Sequence, residues 1–135
     1  MKMLKKERKN IDVLDLEIML DGMLSLTDIS DYAKTLILGL LCLSPSKRVK
    51  QGIFERLYYY DKLIKVPHGA CYKAIRFLSR SGIIRVIRES PKRVIIYLNP
   101  KYEPYVRKWF KKLEEKEPLI YKELREIIEK YKNYF

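Results

Sequence analysis

The sequence contains few of the residues that perform chemistry or bind metals. It has a single histidine, His68, and two cysteines, Cys42 and Cys71, among 135 residues. A metal site needs several ligands close together, and a nucleophile needs a base beside it. No such set can be assembled around these residues. We therefore predict no catalytic residue, no metal site and no cofactor, and an enzyme is the weakest interpretation.

Long hydrophobic runs are also missing. The longest dense apolar stretch, 36–43, is far shorter than the roughly 20 residues that cross a bilayer, and Gly39 interrupts it. Near the start of the chain, Asp12, Asp15 and Glu17 break the apolar segment that a signal peptide would need. Both cysteines lie beside apolar residues at helical positions, which favours buried free thiols over a disulfide. We expect a cytoplasmic protein that does not contact membranes.

Side-chain amides are scarce as well. Gln51 is the only glutamine and there are three asparagines, whereas Glu, Lys, Arg, Ile and Tyr are abundant. This composition is typical of proteins from hyperthermophiles. Because 47% of the residues are hydrophobic, the chain can bury one core and is not expected to be disordered.

Positive charge is concentrated in one part of the chain. The net charge is +12, and residues 47–93 contribute +10 of it, with 13 Lys/Arg against 3 Asp/Glu. Residues 1–46 carry −1 and residues 94–135 carry +3. Clustered cations gain affinity for nucleic acid because they release the counterions condensed on its phosphates. The charge pattern therefore points to nucleic acid as the partner.

Apolar spacing predicts a mainly α fold with a small β-hairpin. Helices are expected over 11–23, from about Tyr32 to a stop at 44–46, over 52–60, over 67–80, and in two segments of the C-terminal region divided by Pro118. Gly82 sits where a left-handed helix cap is expected. Residues 83–88 and 94–98 are β-branched runs joined by a basic turn, 89–93, and this pattern predicts an antiparallel hairpin.

The predicted helix 67–80 has two unlike faces. One face is apolar or small, and the opposite face carries glycine and cations at helical spacing. The major groove of B-DNA is about 12 Å wide and admits one helix. Arg76 and Lys73 are predicted to contact base edges, and the hairpin cations to contact the backbone or the minor groove. The predicted DNA-binding residues are Lys65, His68, Gly69, Tyr72, Lys73, Arg76, Arg80, Arg88, Lys92 and Arg93.

The residues of this stretch resemble a known family. The segments are 51–57 and 67–84, and the best matches are Tyr72, Ala74, Leu78 and the triplet Gly82-Ile83-Ile84. They are similar to the winged helix-turn-helix of PadR-like regulators, over about residues 36–98. The resemblance implies a transcription regulator of the kind found in archaea or on archaeal plasmids and viruses, dimerising through C-terminal helices. The helix-to-strand junction is shared with MarR-like and ArsR-like families, and the short hairpin turn and extra N-terminal helix depart from the pattern.

The C-terminal region has an apolar stripe that recurs every seven residues. Its predicted dimerisation residues are Val106, Trp109, Phe110, Leu113, Ile120, Leu124, Ile127 and Tyr131. The stripe offers more apolar surface than a small DNA-binding module can cover, so we predict a homodimer. The alternative is that the stripe packs back on its own domain.

These patterns divide the chain into three parts. Residues 1–31 are a basic arm and an N-terminal helix, 32–98 a winged helix-turn-helix, and 99–135 a helical dimerisation tail. The leading hypothesis is a dimeric repressor that binds double-stranded DNA sequence-specifically. One alternative is a plasmid partition or architectural adaptor that coats DNA and recruits a partner protein through its C-terminal helices. Another is a protein-interaction module whose basic face meets an acidic partner.

Overall fold

A computed structural model describes residues 10–26, 28–54 and 68–135. Its elements are α1 (Val13–Met23), α2 (Ile29–Leu43), β1 (Val49–Lys50), α3 (His68–Arg80), β2 (Ile84–Ser90), β3 (Arg93–Leu98), α4 (Glu103–Lys116) and α5 (Pro118–Lys130). Residues 51–54 are also helical, and Lys132–Tyr134 form a 3-10 turn. The described part is mainly helical with a small antiparallel sheet, which confirms the fold class at this level. None of its helices is long and apolar enough to span a membrane.

Some sequence predictions lie outside the described residues. These are the basic arm over 1–9, most of the predicted helix 52–60, and Lys65. For His68 the structure describes the backbone, which begins α3, and not the side chain.

The central helix, α2, is delimited by local signals. The carboxylate of Asp28 accepts a hydrogen bond from the backbone N–H of Asp31 at 2.8 Å, and this satisfies an amide that has no partner within the helix. At the other end, Pro45 disfavours the helical conformation of Ser44, which is extended. Residues 35–41 are buried on every side of the helix, so α2 forms the middle of the core.

The sheet has three antiparallel strands in the order β1-β3-β2. The predicted hairpin is confirmed as β2 and β3. Strand β1 was not predicted, because two residues are too few to show an alternating pattern. Val49 and Val86 both lie opposite Ile96, and residues directly opposite one another point to the same side of a sheet. Ile96 is fully buried in the core, so this side faces the helices.

The junction between α3 and β2 is closed by a glycine, as predicted. Gly82 has φ +80°, a left-handed conformation that is cheap only for glycine. Its carbonyl accepts a hydrogen bond from the side-chain amide of Asn99 at 2.8 Å, and the N–H of Ile83 donates to the carbonyl of Leu78 at 3.0 Å. The turn therefore ties the end of α3 to the base of the hairpin.

The C-terminal helices, α4 and α5, both pack on α2 of their own chain. A Cβ placed on Gly39 of α2 would lie 2.6 Å from Leu124 Cδ1 and 3.2 Å from Phe110 Cε1. Only a glycine leaves room for this approach, because carbon atoms prefer separations of about 3.5–4.0 Å.

This packing corrects the prediction that the apolar stripe faces a second copy. Six of its residues are buried within the monomer, namely Val106, Trp109, Phe110, Leu113, Leu124 and Ile127, and Ile120 and Tyr131 are half-buried against the same core. The reason is that α2 is apolar on every side, so it offers the stripe an apolar surface within the same chain. Residues 99–135 are therefore part of the core and not an appended tail, whereas dimerisation itself stays a prediction.

Helix α1 packs on the same core and is joined to residues of the C-terminal region. The hydroxyl of Tyr102 donates a hydrogen bond to the carbonyl of Ile11, and Lys112 pairs with Asp21 at 3.3 Å. The buried residues Leu16, Leu20 and Met23 join the same cluster as α2. The core thus includes residues from all three predicted parts of the chain.

Candidate nucleic-acid interface

Helix α3 has the two faces predicted from its sequence. Its inner residues Cys71, Ala74, Ile75 and Leu78 are 3%, 3%, 7% and 0% exposed. Its outer residues Gly69, Lys73, Arg76 and Arg80 are exposed. Residues 3, 4 and 7 positions apart share a helix face, so burial of one set turns the other outward. The core therefore holds α3 with a row of cations facing solvent.

Two aromatic residues flank this row. Tyr72 lies on the side towards the hairpin and Phe77 on the side towards α2, and both are exposed. The ammonium of Lys34 on α2 lies 4.3 Å from the centroid of the Phe77 ring. Lys34 thus adds a cation beside α3. Sequence reasoning missed it because its proximity depends on how α2 and α3 pack.

A groove of about 640 Å³ runs between α3 and the hairpin. Arg76 and Tyr72 line it from α3, and Arg85 and Arg88 line it from β2. The structure therefore brings together two predicted DNA-binding cations, Arg76 and Arg88, from separate elements. Arg85 was not predicted. The only sequence signal for it was its place in the β-branched run, three residues before Arg88.

The surface around this groove is strongly basic. Residues 68–93 contain seven Lys/Arg and a single carboxylate, that of Glu89. Lys73 and Arg80 are exposed on α3 but do not line the groove. A Cβ placed on Gly69 would meet nothing within 4 Å, so packing inside the chain does not require a glycine there.

The hairpin tip departs from the predicted arrangement. Lys92 is exposed in the turn. The guanidinium of Arg93 pairs with Glu89 at 2.5 Å, and Arg93 lines a separate groove together with Arg48 and Lys50. The expectation that Arg93 shares one surface with Arg76 is therefore corrected: Arg88 lies opposite Val94 in the sheet, and the next residue along a strand points to the other side.

No protein-family model, curated protein or solved structure matches the chain. The charge and geometry of the surfaces described above are therefore the basis of the proposed function.

Proposed function

We propose that this chain binds double-stranded DNA sequence-specifically, as a winged helix-turn-helix regulator of transcription with α3 in the major groove. The observation that carries the proposal is the exposed cation row of α3, whose opposite face is anchored in the core. Cations of β2 line the groove beside it. The order of α2, β1, a helical segment, α3 and the hairpin supports the PadR-like resemblance.

The dimensions of α3 suit this role. A helix with its side chains is about 10–12 Å across, and the major groove is about 12 Å wide. With 13 residues, α3 is about 20 Å long at about 1.5 Å per residue. One end of it can therefore enter the groove while the other stays near the phosphates.

The proposed roles follow from position. Arg76 lies in the middle of the exposed row and also lines the groove, so it is assigned to a base edge, where arginine reads guanine O6 and N7. Lys73, three positions before Arg76 on the same exposed face, is likewise assigned to a base edge, and Arg80 to a phosphate. Arg88 and Lys92 on the hairpin are assigned to the flanking backbone or the minor groove.

A dimer on a palindromic site stays part of the proposal. Two recognition helices one helical turn apart would be about 34 Å apart. The contact between copies would involve residues other than the C-terminal stripe, which is buried in the monomer.

The test begins with selection of a preferred site from random duplex DNA. We then expect Arg76→Ala to raise the Kd for that site about 5- to 150-fold, because a good base contact is worth about 1–3 kcal/mol. Discrimination at one base pair should be lost. The matched control is Arg125→Ala on α5, which removes the same charge from an exposed position and should have a much smaller effect. Fluorescence anisotropy of labelled duplexes measures both.

Salt dependence provides an independent check. The logarithm of the binding constant should fall linearly with the logarithm of salt concentration, with a slope of about −0.9 per phosphate contacted. Lys92→Ala, which removes an exposed cation of the hairpin turn, should reduce the slope by about one unit without changing sequence preference. Equal effects of the Arg76 and Arg125 substitutions would show that α3 does not read DNA.

A further inference from the structure

The outer side of the sheet carries cations that the proposed interface does not use. Lys50 lies opposite Ile95, and Arg85 lies opposite Tyr97. Ile95 and Tyr97 are two positions apart in β3 and point to the same side, whereas the intervening Ile96 points into the core. Lys50 therefore lies on the side of the sheet that faces away from the helices. Arg85 starts on the same side of the edge strand β2 but lines the groove beside α3, so it belongs to the proposed interface.

Arg48 extends this set. Its guanidinium carbon lies 4.7 Å from the centroid of the Tyr97 ring, a cation–π distance. Arg48 lines two adjacent grooves, of about 300 Å³ and about 330 Å³. We define the outer basic surface as four cations that line these grooves: Lys47, Arg48, Lys50 and Arg93.

Two carboxylates lie along these grooves, and each has its own cation. Glu89 pairs with Arg93, and Glu103 pairs with Arg107 at 2.8 Å. Within the described part of the chain, no carboxylate forms an ion pair with the other three cations of the outer basic surface. Glu89 therefore offsets only Arg93, and Lys47, Arg48 and Lys50 leave the surface with a net positive charge.

The turn over residues 44–48, which carries Lys47 and Arg48, is held by several hydrogen bonds. The hydroxyl of Ser44 and the N–H of Ser46 both donate to the carbonyl of Phe135, at 2.8 and 3.1 Å. The hydroxyl of Ser46 donates to the carbonyl of Arg48 at 2.7 Å. Between them Lys47 has φ +63°, a conformation that is costly for lysine and that tends to persist at functional positions. The fold thus holds a lysine in a strained conformation next to Arg48.

None of the four cations of the outer basic surface lines the α3 groove, although Tyr97 borders both surfaces. Helix α3 packs beside β2 on the core side, whereas Lys50 and Arg48 lie beyond β3 on the outer side. A stiff, straight duplex cannot lie against both sides of one sheet. The outer cations are spread over two shallow grooves, an arrangement that suits a phosphate backbone better than a small anion.

We propose that the outer basic surface binds the phosphate backbone of a second DNA segment, so that one molecule bridges two duplexes. This inference rests on the proposed function, because α3 holds the first duplex. It gives the architectural role considered from the sequence a specific site, located on the sheet instead of the C-terminal helices.

The experiment measures capture of a second duplex. A duplex with the selected site is immobilised, protein is bound, and retention of a fluorescent duplex of unrelated sequence is recorded. Arg48→Glu/Lys50→Glu should lower this capture by about tenfold or more, because each lost phosphate contact weakens a salt-dependent affinity. The affinity of this variant for a single short duplex that carries the selected site should change little in solution. Lys122→Glu/Arg125→Glu makes the same charge change on exposed positions of α5 and should retain capture.

A second variant separates charge from folding. Asparagine tolerates the left-handed conformation, so Lys47→Asn should keep the Tm at or above that of the wild type while capture falls. Capture that persists in the Arg48/Lys50 variant, or that falls equally in the α5 control, would overturn the inference. So would competition by polyglutamate as effective as competition by DNA, which would assign the surface to acidic chains in general.

The two proposals fail in different ways. Wild-type protein that binds its single site but captures no second duplex would refute bridging alone. Arg76→Ala protein with unchanged single-site affinity would refute the role of α3, and the second-duplex measurement would still report on the outer basic surface.

Discussion

Replacing Gly39 by alanine tests whether α5 packs on α2 of its own chain. The new Cβ would lie 2.6 Å from Leu124 Cδ1 and 3.2 Å from Phe110 Cε1. Leu124 is 0% exposed, so its methyl group has no empty space to enter. Either the Leu124 side chain leaves its preferred conformation, or α5 moves away from α2.

Two effects of opposite sign determine the result. Alanine is favoured over glycine inside a helix by about 0.5–1 kcal/mol, and overpacking of a dense core costs about 1–3 kcal/mol. We expect the clash to dominate, so that Gly39→Ala lowers the free energy of unfolding by about 1–2 kcal/mol. Leu124→Ala alone should cost about 2–5 kcal/mol, because it leaves a cavity. In that background the same Gly39→Ala change should be neutral or stabilising, since the added methyl group fills part of the cavity.

Urea denaturation of the four proteins, followed by circular dichroism, measures this coupling. An effect of Gly39→Ala that is the same with and without Leu124 would refute the reasoning, because the two side chains would then not be in contact.

Two further predictions concern the α3–β2 junction and the half-buried thiol of Cys42. Gly82→Ala should destabilise the protein by about 1–3 kcal/mol, because Gly82 has a φ of +80° and the added Cβ would collide with Asn10. The control is Gly22→Ala, whose Cβ would meet nothing within 4 Å. Thermal unfolding compares the two variants, and equal Tm values would contradict the prediction. Burial raises the pKa of the Cys42 thiol from 9.0 to about 12, against the opposing charge of Arg107 and with a small addition from Glu103. The unfolded thiol then loses its proton at lower pH than the native one, so stability should fall between about pH 9 and pH 12, by up to about 1.4 kcal/mol per pH unit. Cys42→Ala should lack this contribution in urea titrations, and identical pH profiles for the two proteins would disprove it.

Several element boundaries could be predicted because their causes are local, although α2 begins at Ile29, three positions before the predicted start. Asp28 caps α2 and Pro45 follows its end, and both residues act on backbone within a few positions of themselves. Gly82 ends α3 for a similar reason. The amphipathic character of α3 was also readable, because the spacing of apolar residues alone decides which face can be buried. Arg76 was therefore placed on the correct face.

The composition of the candidate site was only partly predictable. Arg85 and Lys34 lie beside predicted residues because of sheet register and helix packing. Arg93 and Arg76 line different grooves of the protein, which the sequence could not show because the direction of a strand side chain depends on register, and a shift of one residue reverses it. Arg48 and Lys50 were overlooked because β1 exists only by pairing with β3.

By itself, the sequence determined where the main helices and the β2–β3 hairpin of the described residues lie, which side of α3 is apolar, and that the excess positive charge falls in the segment containing α3 and the hairpin. Caps, prolines, glycines and apolar spacing act over a few neighbouring residues, so they need no knowledge of the rest of the chain. Only the tertiary structure decided that the C-terminal stripe meets α2 and that the hairpin cations divide between two sides of the sheet. The physical reason is that hydrophobic burial has no preferred partner and strand register depends on distant residues.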